Sequence, residues 1–107
     1  MTNLPCTFSA LSDRTRLTVI ERLMAEGELS AGALLDGSEI SAPAMSRHLK
    51  VLRQAGLVYQ RAEGTHRFYA VRPEALRAIA DWTGEYRAFW EAGLDRLEQM
   101  LVLDGDD

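Results

Sequence analysis

The side chains best suited to molecular recognition are small, polar or basic and lie close together between residues 41 and 53. An arginine can donate two parallel hydrogen bonds to O6 and N7 of a guanine, whereas lysine and arginine also pair with phosphate oxygens. We assign Arg47 to a base edge and Lys50 and Arg53 to phosphates as hypotheses, because spacing alone does not separate the two kinds of contact. The complete candidate set is Ser41, Ala42, Ser46, Arg47, Lys50 and Arg53.

The charge distribution indicates a local site for an anionic partner, although the whole chain is acidic. The net charge of −4 would repel a phosphate backbone if it were spread evenly. Residues 41–77, however, hold seven basic and two acidic side chains, while residues 1–40 and 78–107 carry net charges of −3 and −6. A solvated helix face can also gather basic residues, so the local structure has to decide between the two explanations.

The candidate residues must share one helix, and the sequence marks both of its ends. Ser41 can cap the helix, Pro43 fits its first turn, and Gly56 lies where a left-handed glycine would end it. The large apolar residues of this segment recur at helical spacing and form one stripe, at Met45, Leu49 and Leu52. The pattern predicts a helix over residues 41–55 that buries one face and exposes a small, basic one.

Two helices are predicted before this one. Ser12 can cap the first, which follows a short apolar segment over residues 7–11 and ends near Gly27. Its apolar stripe consists of Leu17, Ile20, Leu23 and Met24. Ser30 can cap a shorter second helix that ends at the turn over residues 36–38. Near the start of the first helix, Arg14 and Arg16 could contact phosphate or form surface ion pairs, and both interpretations stay open.

A β-hairpin is predicted over residues 57–71, where two β-type segments flank residues 62–65. Its polar residues Arg61, His66 and Arg67 are candidates for contact with a DNA backbone or minor groove, although any half-exposed hairpin shows alternating polar residues. Helix, short helix, turn, capped basic helix and hairpin is the order of a winged helix-turn-helix. We therefore expect a mainly α protein with a β-hairpin (α+β), in a single domain over residues 1–107.

Several motifs of the chain resemble those of the ArsR family of winged-helix repressors. They are residues 8–17 (FSALSDRTRL), 27–30 (GELS) and 46–58 (SRHLKVLRQAGLV), followed in the hairpin by residues 63–64 and 68–69. The likeness covers most of the chain. It implies a homodimer with a recognition helix at residues 41–55, a wing at residues 57–71, and repression that a small-molecule effector relieves.

After the hairpin the chain resembles one branch of that family, in which a PEAL helix precedes an aromatic-rich final helix. Members of this branch often lack the family's metal ligands, and so does this chain: residues 28–35 (ELSAGALL) contain no cysteine, and no histidine follows His66. The resemblance therefore implies neither a bound metal nor a cofactor. A metal site of carboxylates is the alternative, built from Asp81, Glu85 and Asp95.

The final helix, predicted over residues 82–101, has more apolar residues than a monomer of this size can cover. They form two rows, one of Trp82, Tyr86, Phe89 and Gly93 and the other of Trp90, Leu94, Leu97 and Leu101. We predict that this helix supplies much of the homodimer contact, together with three residues of the N-terminal segment, Leu4, Phe8 and Leu11. A ligand pocket lined by the aromatic residues is the alternative.

Other classes of protein fit the sequence less well. With two histidines, one cysteine and no glycine-rich phosphate loop, no catalytic constellation can be assembled, and we expect no enzyme. No apolar run approaches the ~20 residues of a membrane span, and Cys6 has no partner for an intramolecular disulfide, so we expect a cytoplasmic protein. The sequence predicts a DNA-binding transcriptional repressor of an inverted-repeat operator. Its acidic ends keep one alternative open, a winged-helix module that binds another protein.

Overall fold

The computed structural model describes residues 3–105, which form six helices and three strands. In chain order the elements are α1 Leu4–Leu11, α2 Arg14–Glu26, β1 Leu29–Ser30, α3 Ala31–Asp36, α4 Ala42–Gln54, β2 Val58–Glu63, β3 His66–Val71, α5 Pro73–Glu85 and α6 Arg87–Gly105. By its contacts the chain divides after Leu76 into two units, and the single domain over residues 1–107 stays a prediction. No helix in the described part of the chain is long and apolar enough to span a membrane.

The first helix, α1, was expected only as an apolar segment. Asn3 caps it by accepting a hydrogen bond from a backbone N–H of its first turn. Ser12 donates its hydroxyl to the Ser9 carbonyl at 2.6 Å, so it closes α1 and does not cap the next helix. The predicted Ser12 cap is therefore wrong. Asp13 caps α2 instead, because its carboxylate accepts from the Arg16 backbone N–H at 3.0 Å.

The boundaries around α3 and α4 agree with the sequence prediction. Ser30 caps α3 and Ser41 caps α4, and each hydroxyl accepts from the backbone N–H three residues later, at 3.1 and 3.2 Å. Gly27 follows α2 with φ of 82°, and Gly56 lies beyond the end of α4 with φ of 77°. A Cβ is strained in that left-handed region, which is why glycine marks these two ends.

The buried face of α2 differs in part from the predicted stripe. Two members of that stripe, Ile20 and Leu23, are buried together with Val19. The other two, Leu17 and Met24, are 43% and 52% exposed. The predicted stripe and the buried set both fit helical spacing, and α2 buries the residues that meet β3, α1 and α4. Periodicity alone does not determine which flank of an apolar face packs against the core.

The three strands form one antiparallel sheet in the order β1-β3-β2. Six residue pairs register β2 against β3, and only Gly64 and Thr65 lie between the strands. The predicted loop over residues 62–65 is thus too long, because Ala62 and Glu63 continue the ladder. Strand β1 was not predicted, since a strand of two residues is too short to show alternation.

The core of the first unit joins α4 to its neighbours. The large apolar side chains with almost no exposed surface come from α2, α3, α4 and the start of the hairpin, at Ile20, Leu34, Leu52, Leu57 and Val58. Burial of an aliphatic side chain of this size contributes about 1.5–3 kcal/mol. This shared core fixes the position of α4 relative to the hairpin.

The predicted final helix over residues 82–101 consists of two helices. Trp82 belongs to α5, Tyr86 lies in a turn, and α6 begins at Arg87. The Tyr86 backbone N–H bonds to the Thr83 carbonyl at 3.2 Å, and the Trp90 indole N–H donates to the same carbonyl at 3.3 Å. A single turn residue leaves the apolar spacing almost unchanged, so the pattern continues where the regular backbone does not.

Candidate nucleic-acid interface

The exposed face of α4 carries the small and basic side chains that the sequence singled out. The buried stripe on the same helix is confirmed, because Met45, Leu49 and Leu52 are at most 3% exposed. All of the candidates on or beside this helix are exposed, namely Ser41, Ala42, Ser46, Arg47, Lys50 and Arg53. Small residues at the start of the helix allow close approach of its backbone to a surface, and the basic residues follow along its length.

A groove of about 640 Å³ lies between α4 and the hairpin, and we call it the helix–hairpin groove. It is lined by Ala31, Ser46, Arg53, Gln60, Ala62, Arg67 and Tyr69. Arg53 donates a hydrogen bond to the side-chain oxygen of Gln60, which links the helix to β2. The groove thus brings three predicted site residues together, Ser46, Arg53 and Arg67, whose hydroxyl and guanidinium donors suit an anionic ligand.

Arg61, another basic candidate on the hairpin, donates its hydrogen bonds to other residues of the chain. Its guanidinium donates to both carboxylate oxygens of Glu28, at 2.6–3.0 Å, and to Glu63 at 2.7 Å. It also lies 4.6 Å from the centre of the Phe68 ring. The hydrogen bonds from Arg61 hold the pKa of Glu28 below its ordinary value. The other hairpin candidates, His66 and Arg67, are exposed.

His48 lies on α4 beside the buried stripe, and its side chain is 23% exposed. Its Nδ1 atom is 3.2 Å from Nη1 of Arg16 and 3.7 Å from Oδ2 of Asp13. Arg16 also donates to the carbonyls of Ala10 at 2.6 Å and Ser9 at 3.4 Å. The pKa of Asp13 is lowered, chiefly because the Arg16 backbone N–H donates to its carboxylate. Arg16, whose role the sequence left open, therefore bonds within the chain.

Apolar side chains are exposed on more than one side of α6. Phe89 is 75% exposed, and the other large members of the predicted set in this unit are exposed as well: Trp82, Tyr86, Trp90, Leu94, Leu97 and Leu101. Gly93 is half-buried. Three residues outside the predicted set extend the exposed apolar surface beyond the two rows, namely Met100, Val102 and Leu103. In the first unit, Phe8 of α1 is exposed, while Leu4 and Leu11 are half-buried.

Residues 3–105 contain no cluster of metal ligands: no three histidine, cysteine, aspartate or glutamate residues lie close enough together to hold an ion. Asp81, Glu85 and Asp95 accordingly form no carboxylate site. Cys6 is an exposed free thiol. Glu28 and Gln60, which engage Arg61 and Arg53, were not identified from the sequence, because contacts between distant segments leave no local pattern.

Comparison with known proteins gives consistent matches. A family model described as a helix-turn-helix domain matches residues 11–61. The chain is 40% identical to the HTH-type transcriptional regulator Rv2034 of Mycobacterium tuberculosis, over 94% of this chain and 90% of the relative. It is 39% identical to the arsenic resistance transcriptional regulator ArsR1 of Pseudomonas putida, over 77% of this chain and 70% of that protein.

The fold is also similar to solved structures. An ArsR-like transcriptional regulator from Rhodococcus sp. RHA1 superposes with a TM-score of 0.71 at 29% sequence identity, and the match covers 91% of each chain. The helices, the three-stranded antiparallel sheet and the hairpin beside α4 are thus those of a winged helix-turn-helix protein.

Proposed function

This chain belongs to the ArsR family of winged helix-turn-helix transcriptional regulators, and we propose that it is a cytoplasmic repressor that binds an inverted-repeat operator as a homodimer. The observation that carries the proposal is the exposed basic face of α4 beside the helix–hairpin groove. A helix of this kind fits the major groove of DNA, and guanidinium groups beside it match phosphates on the flanking backbone.

The exposed candidates divide in this proposal between the base pairs and the phosphates. Ser41 and Ala42 let the start of α4 approach the base pairs, and Arg47 contacts a base edge. The remaining basic groups contact phosphates: Lys50 and Arg53 from the helix, and His66 and Arg67 from the hairpin. We leave Arg61 out of the DNA contacts, because its donors are already bonded to two carboxylates.

The homodimer is supported by the apolar surface of α6. Exposed apolar patches of this extent on one helix are typical of an interface between proteins. Two copies of α4 related by a two-fold axis would enter successive major grooves about 34 Å apart, which is why an inverted repeat is the expected operator.

Selection of bound DNA from a random pool tests the proposal, since an inverted repeat would establish both the binding and its symmetry. Titration of the selected fragment at two salt concentrations then separates this function from a protein-binding module. Binding that rests on phosphate contacts must weaken steeply as salt rises. The double variant Lys50→Gln/Arg67→Gln should bind the fragment more weakly and with a shallower salt dependence. The control variant Arg87→Gln, on α6, should bind as the wild type does. If no fragment is enriched, the protein-binding alternative is favoured.

A further inference from the structure

We propose that Arg16 is a positioning residue for the DNA-contacting helix, which it holds against the end of α1 through the Nδ1 atom of His48. The inference rests on the proposed function, because it concerns the helix assigned to DNA. It adds residues that do not themselves touch the ligand.

The guanidinium of Arg16 joins three helices. It extends from α2 and donates at 2.6 Å from Nε to the Ala10 carbonyl near the end of α1. A second nitrogen lies 3.4 Å from the Ser9 carbonyl, and the third lies 3.2 Å from Nδ1 of His48 on α4. Carbonyls at the end of a helix have no partner within the helix, so a cation is favourable at this place. A single side chain therefore connects the end of α1 to the middle of α4.

The contact fixes the chemical state of the imidazole. An arginine can only donate, so Nδ1 must accept and the ring proton must lie on Nε2. If Nδ1 were protonated, it would lose the Arg16 bond and could donate only to the Asp13 carboxylate, 3.7 Å away. The charged groups that face His48 from α2, Arg16 and Asp13, thus favour opposite states of the ring. The shorter distance to Arg16 assigns the neutral one.

Loss of this contact should disturb α4 where DNA contact is proposed. His48 lies between Arg47 and the buried Leu49, so a change in its anchoring moves the side chain assigned to a base edge. A displacement there reduces affinity without removing any DNA contact, because base contacts require correct geometry. Hydrogen bonds to a charged donor are the stronger kind, so we expect the effect to be measurable.

Two amide substitutions at position 48 provide the test. Asparagine places its amide near the position of Nδ1 and can still accept from Arg16, whereas glutamine places its amide near Nε2. Affinity for the fragment selected from the random pool should stay within about twofold of wild type in His48→Asn and fall by up to about tenfold in His48→Gln, the limit reached when DNA binding must restore the geometry that one charged hydrogen bond held. Arg16→Ala also removes the bonds to α1, so it should lose at least as much affinity as His48→Gln. Arg87→Ala, on α6 and outside the proposed DNA contacts, serves as control. Thermal unfolding of each variant separates loss of affinity from loss of fold.

A measurement without DNA keeps this inference distinct from the proposed function. Nitrogen-15 NMR of the free protein at neutral pH should show His48 neutral, with its proton on Nε2, and Arg16→Ala should abolish that preference. Protonated Nδ1 in the wild type, or equal affinities of His48→Asn and His48→Gln, would overturn the inference. Failure of the wild type to bind any DNA would instead overturn the proposed function and leave the NMR result to decide the Arg16 contact.

Discussion

The arginines of the first unit fall into two groups that their sequence neighbours do not distinguish. Arg16, Arg22 and Arg61 donate to groups of the chain itself, whereas Arg47 and Arg67 are exposed on the helix and hairpin. A guanidinium already bonded to carboxylates or carbonyls must give up those bonds before it can bind phosphate. The first group therefore shapes the proposed interface, and the second contacts the ligand. Arg53 belongs to both groups, because it donates to Gln60 and must exchange that bond to contact a phosphate.

Replacement of Arg47 by alanine tests the assignment of a base contact. Arg47→Ala should cost about 1–3 kcal/mol on the selected operator and less on random DNA, because only the cognate base accepts two hydrogen bonds. Lys50→Ala is the matched variant: it should weaken binding to all sequences alike and reduce the salt slope by about one. Fluorescence anisotropy at several salt concentrations measures both. Equal losses of Arg47→Ala on both DNAs would assign Arg47 to phosphate.

The Arg61–Glu28 pair predicts a pH dependence of stability. The pKa of Glu28 is lower in the folded chain than its ordinary value of about 4.3, so the pair stabilises the fold above that pH and stops doing so as pH falls through the lowered pKa. Both side chains are partly exposed, so the effect should be small. Urea unfolding between pH 3 and pH 7 should show a weaker pH dependence in Glu28→Gln than in wild type. Glu39→Gln, at an exposed glutamate, serves as control, and equal behaviour of the two variants would rule out the effect.

At the scale of elements, a side chain of α2 holds the end of α3 beside the turn that leads to α4. Nη1 of Arg22 lies 3.3 and 3.5 Å from the carbonyls of Ala33 and Leu34 near the end of α3. A Cβ added at Gly37 would lie 2.6 Å from that nitrogen. The guanidinium of Arg22 thus occupies the space that a side chain at position 37 would enter.

The substitution Gly37→Ala should therefore destabilise the fold by no more than about 1 kcal/mol, because the group it displaces is the end of a flexible side chain that can shift. The backbone at this position, with φ of −91°, accepts alanine without strain. In an Arg22→Ala background the same substitution should cost almost nothing, since the group it displaces is gone. Chemical unfolding of the four proteins of this double-mutant cycle measures the coupling. Additive costs would show that Gly37 matters for another reason.

Local chemistry explains which elements were predicted correctly. Ser30, Ser41 and Gly56 act within one turn of their own positions, so the bounds of α3 and α4 could be predicted from the sequence. The choice of buried flank on α2, the strand β1 and the partners of Arg61 depend on segments that are distant in the chain. No local pattern encodes those contacts. For the same reason, candidates for the site could be proposed from the sequence, but those that bond to other residues of the chain could not be distinguished from the rest.

At the scale of the whole molecule, the proposed homodimer can be tested through α6. Phe89 and Leu97 are largely exposed, and each would contribute about 1.5–3 kcal/mol if buried at an interface. The contribution counts twice in a symmetric dimer, so Phe89→Glu or Leu97→Glu should give monomers that lose operator binding with every DNA-facing residue intact. Gln99→Glu adds the same charge to the same helix at a polar position and should leave the dimer unchanged. Sedimentation at micromolar concentration measures the assembly, and a monomeric wild type would contradict the assignment.

The hairpin that forms the wing has a fixed length, because only two residues join its strands. One extra residue in each strand would turn every side chain beyond it to the opposite face, so the wing can lengthen and keep its orientation only in steps of two residues per strand. Such a step lengthens the hairpin by about 6.8 Å. Relatives with longer hairpins should therefore differ from this chain by two residues per strand rather than by one.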